Sequence, residues 1–184
     1  LKFKIMKDKK IGEIIKKEAR RQQMTLNLIA SENYVSGDIL ETLGSVLTNK
    51  YSEGYPGKRY YPGNVFYDEI EMLAQSRGLA AFGLKPEEWH VNVQPYSGSP
   101  ANIEIYLGLM QQGETLMAMN LAAGGHLSHG HPVSASGKFW KVVHYGVNRE
   151  TGLLDYNAIR ELALKEKPKV IVCGFTAYPR EFNF

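Results

Sequence analysis

Three stretches of the chain combine residue types that can do chemistry. Tyr96-Ser97-Gly98-Ser99-Pro100 sets two hydroxyls and a glycine between an apolar run and a helical pattern. Backbone N–H groups that open a helix have no partner inside it, and the helix dipole favours an anion there. A phosphate cradle is one reading and a plain helix cap is the other. Neither a Walker loop nor a dinucleotide fingerprint is present, because both glycine patterns are missing.

The second stretch, Ala123-Gly124-Gly125-His126-Leu127-Ser128-His129-Gly130-His131, carries three imidazoles within six residues. A metal site is disfavoured, since no carboxylate lies nearby and a glycine-rich loop holds ligands loosely. An imidazole beside glycines can instead stack on a planar ring; a surface turn is the remaining alternative. The third stretch, residues 49–64, holds four of the eleven tyrosines, together with Glu53 and Lys58-Arg59. Tyrosines in loops commonly anchor cores and interfaces, whereas a carboxyl among phenols and cations also suits acid/base work. Ser31-Glu32-Asn33 reads equally well as a helix-entry turn. A phosphate, a flat ring and an acid/base together suit a phosphorylated aromatic cofactor.

The elements that must position these groups follow from periodicity and punctuation. Ile11, Ile14, Ile15 and Ala19 predict an amphipathic helix over 9–23. Ser36 caps a second one carrying Ile39, Leu40, Leu43, Val46 and Leu47, and a third runs over 67–82 to Gly83. Residues 49–64 are a loop by their Gly and Pro content. Strands are expected at 89–93, 115–119, 139–143 and 169–174. Between them lie a helix from Ser99 as N-cap to about Gln112, a Gly- and His-rich loop over 120–138, and a helix from Asp155 to about Lys165. Strands alternating with helices indicate an α/β fold with a largely parallel sheet.

Composition narrows the functional classes. The 184 residues are 43% hydrophobic and 22% charged, an ordinary globular balance. No apolar run approaches the roughly 20 residues of a membrane span. One cysteine, Cys173, excludes a disulfide framework and fits a reducing compartment, so a cytoplasmic location is expected. The net charge of +3 is uneven: residues 1–21 carry +6 and residues 22–184 carry −3. A nucleic-acid footprint spreads basic residues over a face of the fold, so no nucleic-acid partner and no membrane partner are expected. Leu1 at the start, and a last strand close to Phe184, are expected of a piece of a longer α/β domain.

At this point the residues resemble a known family. Ser31-Glu32-Asn33-Tyr34, the block Asn49 to Tyr61, Asn92 to Ser99, Asn120-Leu121-Ala122 with Gly124 to Gly130, and Gly174 to Tyr178 are similar to serine hydroxymethyltransferase, also called glycine hydroxymethyltransferase. The tyrosine-rich block is the most specific of these, and the blocks run from about residue 10 to the end.

The resemblance implies a fold-type I enzyme dependent on pyridoxal 5′-phosphate (PLP), a homodimer or homotetramer that interconverts serine and glycine with tetrahydrofolate. Residues 1–64 would form a helical arm and interface loop, and 65–184 the first part of the PLP-binding large domain. It further implies that Ser97, Gly98 and Ser99 hold the PLP phosphate and that His126 stacks on the pyridine ring. Thr176, where the family usually has Ser, would bond the ring hydroxyl, and Tyr51 would reach the cofactor phosphate of a neighbouring subunit. Ser31 and Tyr61 would hold the amino-acid carboxylate, with Glu53 as acid/base. Tyr60 and backbone around Leu121, Gly125 and Leu127 would line the folate pocket. No metal is implied. Pro62, Tyr96 and Pro100 depart from the family pattern. The family's cofactor-bonding lysine, its ring-nitrogen aspartate and its carboxylate-binding arginine are expected beyond residue 184. The 184 residues alone are therefore expected to lack activity. Another PLP enzyme, such as an aminotransferase or a threonine aldolase, is the alternative within the fold. A non-catalytic dimerisation module and a metal-dependent hydrolase are alternatives outside it.

Overall fold

The computed structural model describes residues 7–184, so the first six residues of the basic segment lie outside the described residues. Contacts group the chain into two compact units, one ending at Val93 and the other spanning Gln94–Phe184.

The first unit is helical. Helix α1, Lys9–Met24, starts where the Asp8 carboxylate accepts the N–H groups of Lys10 and Ile11, supplying partners for otherwise orphan donors. Helix α2, Gly37–Leu43, is capped by Ser36 as its sequence implies, but it stops at Gly44. Val46 and Leu47 therefore fall in a 3-10 turn, Val46–Asn49, and do not extend the helix. The tyrosine-rich segment is not wholly a loop: β1 (Gly54–Tyr55) and β2 (Lys58–Arg59) form a small antiparallel hairpin across Pro56-Gly57. Gly57 takes a φ of +72° there, a conformation that a side chain disfavours. Helix α3, Val65–Ala81, is fixed to this hairpin by Arg59, which pairs with Asp68 at 2.7 Å and Glu71 at 2.6 Å. The strand expected at 89–93 is absent as a strand. Val91 and Val93 are half-buried and Asn92 exposed, so the alternation is real, but a strand also needs a neighbour's hydrogen bonds.

The second unit is an α/β layer structure. Its helix α4 covers Gly98–Leu109. Strand β3 follows (Thr115–Met119), then the short helix α5 (Ala135–Phe139) and β4 (Lys141–Tyr145). Helix α6 (Tyr156–Glu166), capped by Asp155, leads to β5 (Val170–Val172). The three strands form a parallel sheet in the order β4-β3-β5, with Leu116 opposite Val142 and Val170. Strand β4 lies two residues later than its apolar pattern implies, because Ser134 caps α5 and keeps Phe139 helical.

Central β3 is buried on both faces. Met117 and Met119 pack with Tyr145, Leu154 and Tyr178 and are joined by Ile159 and Leu162 of α6. On the other face, Leu116 packs with Tyr106 and Met110 from the end of α4 and with Trp140. Leu116 through Met119 are each 0% exposed, and burying each large side chain is worth about 1.5–3 kcal/mol. Parallel connectivity sends every loop after a strand to one edge, so the loops after β3, β4 and β5 share an edge.

Two of these loops are locked by close backbone approach. The N–H groups of Thr176 and Ala177 both donate to the Gly124 carbonyl, at 2.8 and 3.0 Å. A Cβ on Gly124 would lie 2.5 Å from the Tyr178 nitrogen, and its φ is +111°. Gly124→Ala is expected to cost about 2 kcal/mol or more through overpacking and backbone strain, read as a lowered urea midpoint at unchanged m-value. A change below about 0.5 kcal/mol would show that the loops are free to separate.

Candidate functional site

The site is built on the shared edge of the second unit. Helix α4 begins earlier than its sequence implies: Ser97, not Ser99, is the N-cap, and Gly98, Ser99 and Pro100 are its first three residues. Pro100 is tolerated there because a first-turn N–H has no helical acceptor to lose. The Ser97 hydroxyl makes no capping bond, and the Ala101 N–H closes the first helical bond to the Ser97 carbonyl at 3.2 Å. The Gly98 and Ser99 N–H groups thus precede the helical ladder. Gly98 is exposed, and a Cβ built on it would meet nothing within 4 Å, so its backbone is open to an approaching anion. A hydroxyl, two N–H groups and a helix dipole around open space fit a phosphate group.

His126 is tied to helix α4 through Ser128 and Asn102. Asn120, directly after β3, accepts the Ala123 N–H on its side chain at 2.7 Å, and its own N–H donates to the Tyr145 carbonyl at 2.9 Å. That clamps the ends of β3 and β4 together and starts the turn Leu121–Ala123. Gly124 and Gly125 then run flush against residues 177–178 and the Met119 carbonyl, positions where a Cβ would collide. Close packing thus accounts for the glycine pair, which the sequence alone leaves as a clustering. The half-buried His126 ring accepts the Ser128 N–H on Nδ1 at 3.1 Å and lies 2.8 Å from the Ser128 hydroxyl. Asn102 of α4 donates from Nδ2 to that hydroxyl at 2.8 Å. Leu121 and Leu127 are exposed on the same loop, Gly125 is buried, and Thr176 is half-buried with its backbone tied to Gly124.

The three imidazoles have separate surroundings. His129 is 6% exposed, its ring edge meets His126 at 5.7 Å, and its carbonyl is 3.2 Å from His144 Nε2. His131 Nδ1 is 3.4 Å from the Val133 N–H. Among the described residues no three His, Cys, Asp or Glu side chains gather as a metal site needs.

The remaining sequence-implied residues belong to the first unit. Ser31 lies in an exposed turn closed by the Glu32 N–H on the Ile29 carbonyl, at 3.1 Å. Glu53 is exposed at the foot of the hairpin, and its carbonyl accepts the Tyr60 N–H at 3.2 Å. Arg59 brackets Glu53, donating to the carbonyls of Ser52 at 2.8 Å and Gly54 at 2.5 Å. Tyr51 and Tyr61 meet edge-to-face at 5.2 Å, and Tyr60 is exposed. The phosphate and ring candidates are thus gathered in one unit and the Glu53 and tyrosine candidates in the other. Asn102 and Ser128 were not singled out by sequence as site residues. Their contact spans 26 positions, and only the i, i+4 relation of Gly98 and Asn102 on one helix face hints at it.

A parallel sheet with a helix start and an imidazole loop on its carboxyl edge defines an α/β protein whose candidate site lies on that edge. Residues 5–184 match the family described as serine hydroxymethyltransferase, and the chain belongs to that family. It is 54% identical over 177 residues to a serine hydroxymethyltransferase of Acidothermus cellulolyticus and 52% identical to one of Nostoc punctiforme. A third, from Koribacter versatilis, is 54% identical. Each alignment covers 96% of this chain; it spans 40% of the first two relatives and 41% of the third.

His129 makes stability pH-dependent. Burial, then the neighbouring His126 and His144, hold its pKa below the ordinary histidine value. The unfolded chain therefore binds more protons below about pH 6.5, so this contribution is full above that pH and is lost as the pH falls through the lowered value. Urea midpoints should fall between pH 7 and 5, and His129→Gln should flatten that part of the profile.

Proposed function

We propose that this chain supplies the phosphate-holding, ring-stacking and acid/base residues of a fold-type I, PLP-dependent serine hydroxymethyltransferase. The full-length protein would convert serine and tetrahydrofolate reversibly to glycine and 5,10-methylenetetrahydrofolate, as a homodimer or homotetramer in the cytoplasm. One observation carries most of the reading: helix α4 and the His126 loop are joined through Asn102 and Ser128. Family membership supports the reaction class.

PLP, when bound, supplies an electron sink for the charge left on Cα when the Cα–Cβ bond of serine breaks. Every other role falls to the chain's own residues. The Gly98 and Ser99 N–H groups and the Ser97 hydroxyl hold the phosphate dianion. His126 presents its flat face to the pyridine ring and keeps water from it, and the Thr176 hydroxyl orients the ring hydroxyl. Ser31 and Tyr61 bind the amino-acid carboxylate. Glu53 takes or returns the proton at the serine hydroxyl oxygen. Tyr60, with backbone at Leu121, Gly125 and Leu127, bounds the folate, and Tyr51 completes the phosphate site of a second copy. Residues 1–64 act as arm and interface, and 65–184 belong to the PLP-binding domain.

In the full-length protein, Glu53→Gln is expected to lower kcat for serine with tetrahydrofolate by about 10²–10⁴-fold, the usual worth of a positioned acid/base. Bound PLP should be unchanged. Equal turnover by the variant would remove Glu53 from the chemistry. The 184 residues alone are expected to form no glycine from serine, and measurable glycine formation by them would contradict that.

A further inference from the structure

We infer that Asn102 and Ser128 are positioning residues that fix His126 as the neutral Nε2–H tautomer in one ring orientation, poised to stack on the cofactor. This rests on the PLP reading above for its purpose, but not for its geometry.

The direction of each hydrogen bond follows from what each group can do. A backbone N–H only donates, so the Ser128 N–H at 3.1 Å makes His126 Nδ1 an acceptor. Nδ1 therefore carries no proton, and in the neutral ring the proton sits on Nε2. The Ser128 hydroxyl, 2.8 Å from the same nitrogen, must then also donate to it. Having spent its one hydrogen, Ser128 Oγ has only lone pairs left, and the Asn102 amide meets one of them with a donor at 2.8 Å. The chain of donors runs in one direction, from helix α4 to the ring. Reversing any link leaves two hydrogens or two lone pairs face to face, which a half-buried site penalises.

Three further features make this a positioning device. Asn102 is four residues after Gly98, on the same helix face, so the helix start proposed to hold the phosphate also sets the ring plane. Ser128 is 4% exposed, so little water competes for its hydroxyl. The His129 ring meets His126 edge-on and restricts its tilt.

Two measurements test the inference. The first is the ¹⁵N signature of the His126 ring in the histidine-labelled full-length protein without cofactor. The expected result is an unprotonated Nδ1 and a protonated Nε2. Asn102→Asp keeps the shape but can only accept, so it is expected to draw the Ser128 hydroxyl hydrogen away from Nδ1 and move the Nδ1 resonance while Nε2 stays protonated; a purely packing role would leave the Nδ1 resonance unmoved. The second is PLP dissociation from the full-length protein. Ser128→Ala, which adds no charge, is expected to weaken PLP by about three- to tenfold, the worth of one hydrogen bond. A proton on Nδ1 in the unmutated chain overturns the inference without any variant. Unchanged PLP affinity in Ser128→Ala overturns the positioning role. If the unmutated full-length protein fails to hold PLP, the functional reading falls instead, and the ring signature still decides the tautomer.

Discussion

The whole candidate edge depends on the burial of one strand. Strand β3 has no exposed side from Leu116 to Met119, with methionines on one face and Leu116 on the other. Both helices that carry the unit's architecture, α4 and α6, are held by packing against its two faces or against residues that do so. Since its neighbours are parallel, the residue after Met119 starts the loop of interest at a fixed height, beside the loops after β4 and β5. Asn120 converts that position into a rigid start by bonding across to Tyr145.

From there the site is assembled by close approach and directional hydrogen bonds more than by further apolar burial. Gly124 and Gly125 are needed because backbone from 177–178 and the end of β3 occupies the space a side chain would use. His126 is then oriented by Ser128, and Ser128 by Asn102, so a loop and a helix that join opposite ends of a long connection act as one piece. Small polar residues do this at low cost, because each donor has a single matching acceptor. In the other unit Arg59 plays a comparable part: one guanidinium ties the hairpin carbonyls to two carboxylates of α3 and so fixes the backbone around Glu53.

Local signals in the sequence were legible where local physics decides. Ser36 and Asp155 open helices where their side chains can meet first-turn N–H groups, and β3 lies where its apolar run says. Non-local partners decided the rest. Trp89 to Val93 keeps the alternation of a strand without strand pairing, and β4 slid because Ser134 started a helix that periodicity could not foresee. The hairpin in the tyrosine segment had a readable signal in Pro56-Gly57, a favoured turn pair, but the Gly and Pro density masked it. Ser99 as N-cap failed because proline at the third helical position is as harmless as at the first. The site residues came from motif blocks and family likeness; Asn102 and Ser128 did not, since nothing within a few residues of either marks the contact between them.

The most direct measurement is a crystal structure of the full-length protein with PLP, read at the carboxyl edge of β3. The account requires the phosphate within hydrogen-bond distance of the Gly98 and Ser99 N–H groups, with the pyridine face against His126. A phosphate held elsewhere, or a ring whose faces both avoid His126, would contradict it.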